Sequence, residues 1–392
     1  MKISIRRWFR RGAAVLACLG VATGFAAGAS DPHYVVTNDD ALSSNSVTFY
    51  TVGANGVLTL QQQVLTGFSG IGGGYFSANR VVALDDESQE CVYASNAFTG
   101  EIVGINVSTL AVGGSAYGST TDTGITNGIG LAVNAQYLYA GFSDFSTIGT
   151  FQVQPGCSLT FVNDTSVSGL QGGIVSAMAI HGNTLIATYN DGSIESFNIS
   201  SGTPVSNGDK QNSTAYIQSQ GATYPNGIDI TQDGHYAIFG DTSMTTSIEV
   251  SDISSGKLTK TVSYDLGGVI NSSNIMLSPD ETLLYISNSQ GDRISAAFFN
   301  ANTGTLSSGC TSSKLINYVS SWSYLASLGL ENTTGTGGVL YVAEYGATSG
   351  IAMLQVTTSG GTCSLSELSS SPVVDPNSPG LLSIAAFPPR SF

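Results

Sequence analysis

The sequence predicts an all-β fold: a seven-bladed β-propeller of four-stranded blades, its ring closed by a C-terminal strand pairing with the N-terminal blade. Three observations predict it. Residues 274–307 read as four short strands joined by three turns. Seven second-strand runs recur at 34–37, 92–95, 137–141, 184–188, 236–240, 283–287 and 339–343, spaced 45 to 58 residues apart. Finally, a first-strand run at 380–387 has no second strand after it, while the run at 34–37 has no first strand before it. Units of roughly 40–50 residues with four strands each are the signature of a propeller.

The unit at 274–307 shows the pattern most clearly. Residues 274–277 are a short apolar run. Ser278-Pro279-Asp280-Glu281 is turn chemistry, with Pro presetting φ and Asp able to bond its own backbone. Residues 283–287 form a second strand, Ser289-Gln290-Gly291-Asp292 a turn, and 294–299 a third strand rich in residues that suit a pleated surface. Asn300-Ala301-Asn302-Thr303-Gly304 turns the chain into a fourth strand. Such a sheet cannot bury both faces alone, so it needs copies packed on either side. The other first strands are expected at 80–84, 130–134, 176–180, 227–231 and 324–330. Asn190-Asp191-Gly192 reads as a tight hairpin, and Asn55-Gly56 matches Asn302-Thr303-Gly304. Closing the ring removes the sheet edges an open array would leave.

The first 29 residues read as a signal peptide and 30–392 as one propeller domain. Lys2, Arg6, Arg7, Arg10 and Arg11 form a basic head, residues 12–26 an apolar run, and Ala27-Gly28-Ala29 a small-x-small cleavage site. The apolar run is too short for a membrane span. Arg6-Arg7-Trp8-Phe9 resembles a twin-arginine signal, which leaves that route and the general secretory route both open. Val15-Leu16-Ala17-Cys18 is a third, lipoprotein-like option. Either way the chain is expected to be exported, to the periplasm or the extracellular space.

Five of the twelve basic residues lie in this segment and none of the 27 acidic ones, so the remainder carries seven against 27, a net charge of −20. That argues against nucleic acid and against anionic membrane surfaces. Four cysteines remain after the signal: Cys91, Cys157, Cys310 and Cys363. They allow three pairings. Cys91 with Cys157 and Cys310 with Cys363 is preferred, because each pair then joins neighbouring repeats.

Ser278-Pro279-Asp280, followed by Leu284-Tyr285-Ile286-Ser287-Asn288 and Asn302-Thr303-Gly304-Thr305-Leu306, together with Tyr34-Val35-Val36-Thr37-Asn38, resembles the seven-bladed lactonase-like propellers. That group includes 6-phosphogluconolactonase, carboxymuconate-cyclising enzymes and the related YVTN-repeat proteins. The resemblance spans 31–387. It implies a propeller with its working face at the loops leading into the first strands, where the enzymes often carry a His-Pro-His segment and gathered basic residues. Here the matching loop reads Tyr224-Pro225-Asn226-Gly227, and the others read Thr126-Asn127-Gly128, Asn271-Ser272-Ser273-Asn274 and Asn377-Ser378-Pro379. They offer amides and hydroxyls in place of imidazoles.

His33, His181 and His235 fall at the opposite face, by the first-to-second-strand turns. The expected role is therefore ligand or protein binding, or scaffolding, without the histidines of the enzymes. The alternative is a lactone hydrolase or related ring-opening or cyclising enzyme. Arg80 and Arg293 are the candidates to hold an acidic ligand group, since the planar guanidinium suits carboxylate or phosphate; the competing reading is an ion pair with one of the many carboxylates. Tyr75, Phe76, Tyr224, Trp322 and Tyr324, with Asn127, Asn226, Asn271, Asn274 and Asn377, are candidates to rim a site for a sugar- or lactone-like molecule or a protein; core packing between blades is the competing reading of the aromatics, Tyr75 and Trp322 above all.

Asp39-Asp40, Asp85-Asp86-Glu87, Asp122, Asp144, Asp241 and Glu344 read mostly as solvated turn residues and lack calcium-loop spacing. No cofactor is expected, though a structural calcium held by Asp side chains and carbonyls stays open. No G-x-S-x-G, HExxH or phosphate-loop motif is present. A monomer is expected.

Overall fold

Seven antiparallel sheets stand around one axis. The computed structural model describes residues 33–53, 55–72, 79–86, 88–118, 128–143, 145–213, 227–240, 247–267, 272–288, 293–315, 324–327, 338–344, 350–375, 378 and 383–390, with the side chains of 273 and 324–327 excepted. The expected signal segment lies outside them. His33–Phe392 holds together as one compact unit. Among the described residues no helix is long and apolar enough to cross a membrane.

Blade 1 pairs the C-terminal strand Ser383–Phe387 with Tyr34–Asn38, then Ser46–Val52 and Leu58–Leu65. The closing register sets Tyr34 opposite Phe387 and Asn38 opposite Ser383, so the first and last strands of the chain share one sheet. Blades 2 and 3 begin at Val81–Asp85 and Ile129–Val133, blades 4 and 5 at Val175–His181 and Gly227–Ile230, and blades 6 and 7 at Ser272–Leu277 and Tyr324–Ser327. In blades 4 and 7 two short segments share the outermost position.

Burial follows position in the blade. Middle strands lie between two neighbouring blades and are buried throughout, as in Leu283–Asn288 and Val339–Glu344. That is why they read as continuous apolar runs. Outer strands keep one side in water, and in Leu58–Leu65 only Leu58 and Val64 are buried. The apolar core is thus a ring of layers between blades. Burying these side chains is the main stabilising term.

The turns form as their residues dictate. Ser278 Oγ donates to Asp280 Oδ1 at 2.6 Å, and the Glu281 amide donates to the Ser278 carbonyl at 2.9 Å. Gly304 takes φ 63°, and a Cβ there would lie 2.4 Å from the Tyr236 ring of the preceding blade. Tyr341 of blade 7 donates to the Gly56 carbonyl of blade 1 at 2.8 Å, as Tyr139 does to Gly202 at 2.7 Å. A tyrosine on a second strand therefore ties its blade to the turn of the next, including across the seam where the ring closes.

Both preferred disulfides form. Cys91 joins Cys157 between blades 2 and 3, and Cys310 joins Cys363 between blades 6 and 7, with Cα atoms 5.6 and 5.5 Å apart. Gly104 sits under the first bridge, where an added Cβ would lie 1.8 Å from the Cys157 carbonyl oxygen. Only glycine fits that approach.

Candidate binding site

The first strands touch in ring order and form the wall of a central channel. Each starts at the face of the blade-to-blade loops, the mouth, and ends at the face of the first-to-second-strand turns, the foot. The channel holds a cavity of about 230 Å3, walled mainly by Val, Leu, Ile, Ala and Met side chains of blades 1 to 6.

The chain's own tail borders the foot. Pro389 and Arg390 follow the closing strand and border the cavity. Arg390 Nη2 donates to Asp229 Oδ1 at 2.7 Å and to the Ile230 carbonyl, and Nη1 stands 4.0 Å from Glu281 Oε1. Asp229 Oδ2 accepts the Leu277 amide at 2.7 Å, which couples the inner strands of blades 5 and 6. Glu281 accepts the Gln232 amide at 2.6 Å, and burial holds its carboxyl above the usual range.

At the mouth, the seam between blades 1 and 2 is a buried polar network. Arg80 Nη1 lies 2.6 Å from Asp40 Oδ2, with both side chains almost wholly shielded. The Arg80 amide donates to Ser383 Oγ at 3.0 Å, and its carbonyl accepts Asn38 Nδ2 at 3.1 Å. Asn45 Nδ2 bridges Asn38 Oδ1 at 2.8 Å and Asn96 Oδ1 at 3.0 Å. Arg80 therefore joins blade 1, blade 2 and the closing strand. Its charge is directed at Asp40, not at the open channel.

Next to this seam is a carboxyl pair. Asp39 accepts Thr37 Oγ1 at 2.8 Å, Ser46 Oγ at 2.5 Å and Thr48 Oγ1 at 2.7 Å. Asp375 accepts Tyr50 Oη at 2.9 Å and faces the same Thr37 hydroxyl at 3.4 Å. Burial, then the Asp375 charge, push the Asp39 carboxyl up to about 7, against the hydroxyl bonds that pull it down. Glu344 ends the second strand of blade 7 with no exposed surface, and neither of its oxygens has a hydrogen-bond partner among the described residues. Burial, then Glu367, push it up to about 8.

The expected site residues are distributed unevenly. Tyr75, Phe76, Asn127, Tyr224, Asn226, Asn271, Trp322 and Asn377 lie outside the described residues, as does the Tyr324 side chain. Asn274 is buried in the first strand of blade 6, its amide donating to Ser287 Oγ at 3.0 Å. Arg293 is exposed at the start of a third strand on the mouth face, away from the channel wall. His181 and His235 are at the foot, where His181 Nε2 lies 2.9 Å from the Gln232 carbonyl and His235 pairs with Asp233 at 3.0 Å. His33 enters the second strand of blade 1 at the same face.

The expectation that the carboxylates are solvated turn residues is corrected at Asp39, Asp40 and Glu344, all buried. They end second strands, whose mouth-side ends are packed between blades. Asp375 and Arg390 carried no signal as site residues, because their partners are distant in sequence. Among the described residues no three His, Cys, Asp or Glu side chains converge as a metal site.

Residues 92–376 match the family model described as lactonase, 7-bladed β-propeller. No curated protein matches the chain. Among solved structures, a protein assigned as a 6-phosphogluconolactonase from Bacteroides fragilis is 16% identical with a TM-score of 0.64, covering 90% of this chain and 98% of that one. A protein of unknown function from Desulfotomaculum acetoxidans is 15% identical with a TM-score of 0.63, covering 91% and 99%. A periplasmic gluconolactonase from Pseudomonas aeruginosa is 14% identical with a TM-score of 0.51, covering 72% and 82%. At these identities the likeness speaks for the fold alone.

Proposed function

The chain belongs to the lactonase family of seven-bladed β-propellers, and from that premise we propose that it is an exported propeller that binds a small molecule at its channel without hydrolysing it. One observation carries the reading: all three histidines of the sequence stand at the foot, while the channel wall is mainly aliphatic among the described residues. General-base chemistry needs a titratable group within hydrogen-bond reach of the reacting atom, and no histidine is placed to serve the mouth. The basic, apolar leader and two disulfides support export, since disulfides persist in oxidising compartments.

The test is a pH-stat assay of protein lacking residues 1–29, on sugar lactones and alkyl lactones. The expected result is no acid release above the buffer rate. Turnover above that rate overturns the reading in favour of a hydrolase, and its loss in Glu344→Gln would assign the base to that buried carboxyl, which burial holds up at about 8.

A further inference from the structure

We infer that blade 4 carries a second binding site, apart from the channel: a groove on its outer side, facing blade 3, that takes one hexose unit of a neutral oligosaccharide. What carries it is a juxtaposition. An exposed phenyl ring and a row of hydroxyls surround a carboxylate and an ammonium that already neutralise each other.

A break in the outer strand opens the groove. The third strand of blade 4, Ser193–Asn198, pairs with Val205–Ser206 at one end and with Gln211–Asn212 at the other. Residues 207–210 between them leave the ladder. Gly208 turns at φ 72°, a conformation that glycine adopts without a Cβ penalty. Asp209 then fastens the detour to the next blade. Its Oδ1 accepts the Ser196 amide at 3.0 Å, and its Oδ2 accepts the Leu258 amide of blade 5 at 2.7 Å. On the other side, against the outer strand of blade 3 (Ser158–Ser166), a space of about 500 Å3 is left. That lies within the ~300–1,000 Å3 of small-molecule sites.

The charges in the groove cancel. Glu195 is 3% exposed. Its Oε2 lies 3.1 Å from Lys210 Nζ and accepts Tyr189 Oη at 2.8 Å, and its Oε1 accepts Ser206 Oγ at 2.5 Å. Lys210 Nζ also donates to the Ser168 carbonyl at 2.5 Å and stands 5.5 Å from the centre of the Tyr189 ring. An ammonium so engaged gives little to an anionic guest, and the net charge of −20 outside the leader repels one.

Hydroxyls and a ring remain. Ser166, Ser168 and Ser206 are exposed along the groove, Ser146 is half-buried, and Phe145 is exposed at the rim. The Thr165 hydroxyl, on the blade 3 side, has no hydrogen-bond partner among the described residues. Hydroxyls both donate and accept, as those of a sugar do, while a phenyl ring covers the apolar C–H face of a pyranose. An alkyl guest would strip water from these groups and return no bonds, which costs free energy.

The experiment titrates the mature chain with neutral hexamers of glucose, mannose, galactose and N-acetylglucosamine, followed by saturation-transfer NMR. Saturable binding of at least one hexamer is expected, with a Kd of about 1 mM or tighter. Phe145→Ala removes the exposed ring and is expected to weaken that binding about fivefold. Ser206→Trp starts from a side chain directed at Glu195 and fills the groove, so it is expected to abolish binding. Phe98→Ala removes another exposed ring, on blade 2, and is expected to leave the affinity unchanged. Binding of none of the four hexamers overturns the inference, as does equal weakening by Phe98→Ala and Phe145→Ala. Binding that both groove variants leave intact also overturns it, and places the sugar elsewhere on the protein without touching the reading of the channel.

Discussion

Replacing Asp39 with Asn is expected to make the protein more stable at neutral and alkaline pH and to flatten its pH dependence. In the folded protein the Asp39 carboxyl is pushed up to about 7 from an ordinary 3.8 by burial and by Asp375. Between those values the folded chain keeps a proton that the unfolded chain releases, so stability falls as pH rises through the window. The full loss is reached above about 7 and is on the order of 4 kcal/mol, at ~1.36 kcal/mol per pKa unit.

Asn mimics the protonated carboxyl. Its oxygen can take the Ser46 and Thr48 hydroxyls, and its amide can face Thr37, freeing that hydroxyl for Asp375. The assay is urea unfolding of wild type and Asp39→Asn at about pH 5 and about pH 8, on either side of the folded value. Wild type should lose stability between the two, and the variant should lose several kcal/mol less. Equal losses in both proteins would refute a proton held on Asp39 at the blade 7 to blade 1 seam.

Three further outcomes are expected. Arg80→Ala strands the Asp40 charge in the buried seam and should cost about 3–5 kcal/mol; adding Asp40→Asn, which tolerates the φ of 55°, should recover a large part of it in the same unfolding assay. The disulfides close spans of 66 and 53 residues, so losing either should cost about 4 kcal/mol, and thiol labelling should show the half-buried Cys310–Cys363 reduced before the fully buried Cys91–Cys157. Arg390→Ala should lower stability by roughly 1.5–3 kcal/mol through its charged hydrogen bonds and speed hydrogen exchange of the Leu277 amide that Asp229 holds; unchanged exchange would mean that the tail does not secure the foot.

The sequence showed the ring because propeller blades repeat local signals. Ser278-Pro279-Asp280 and Asn302-Thr303-Gly304 are turn chemistry readable within a few residues. The closing strand was legible as an unpaired copy of a first strand, which the register of Tyr34 with Phe387 bears out. The cysteine pairing followed from placing each cysteine in its blade. The buried polar groups were not legible. Asp39 and Asp40 look like any turn aspartates, and their burial depends on packing by a strand more than 300 positions away, as the Thr37 to Asp375 contact shows. Arg390 and Asp229 meet across 161 residues, which only the closed ring brings together. Glu344 ends an apolar run, and nothing local distinguishes an end packed between blades from one reaching solvent.

The most direct test of a binding propeller is to equilibrate the mature protein with δ-decalactone, then measure bound lactone and released hydroxy acid in the same sample. The account predicts stoichiometric bound lactone and no hydroxy acid beyond the protein-free control. Hydroxy acid accumulating in excess of protein, or no bound lactone, would contradict it.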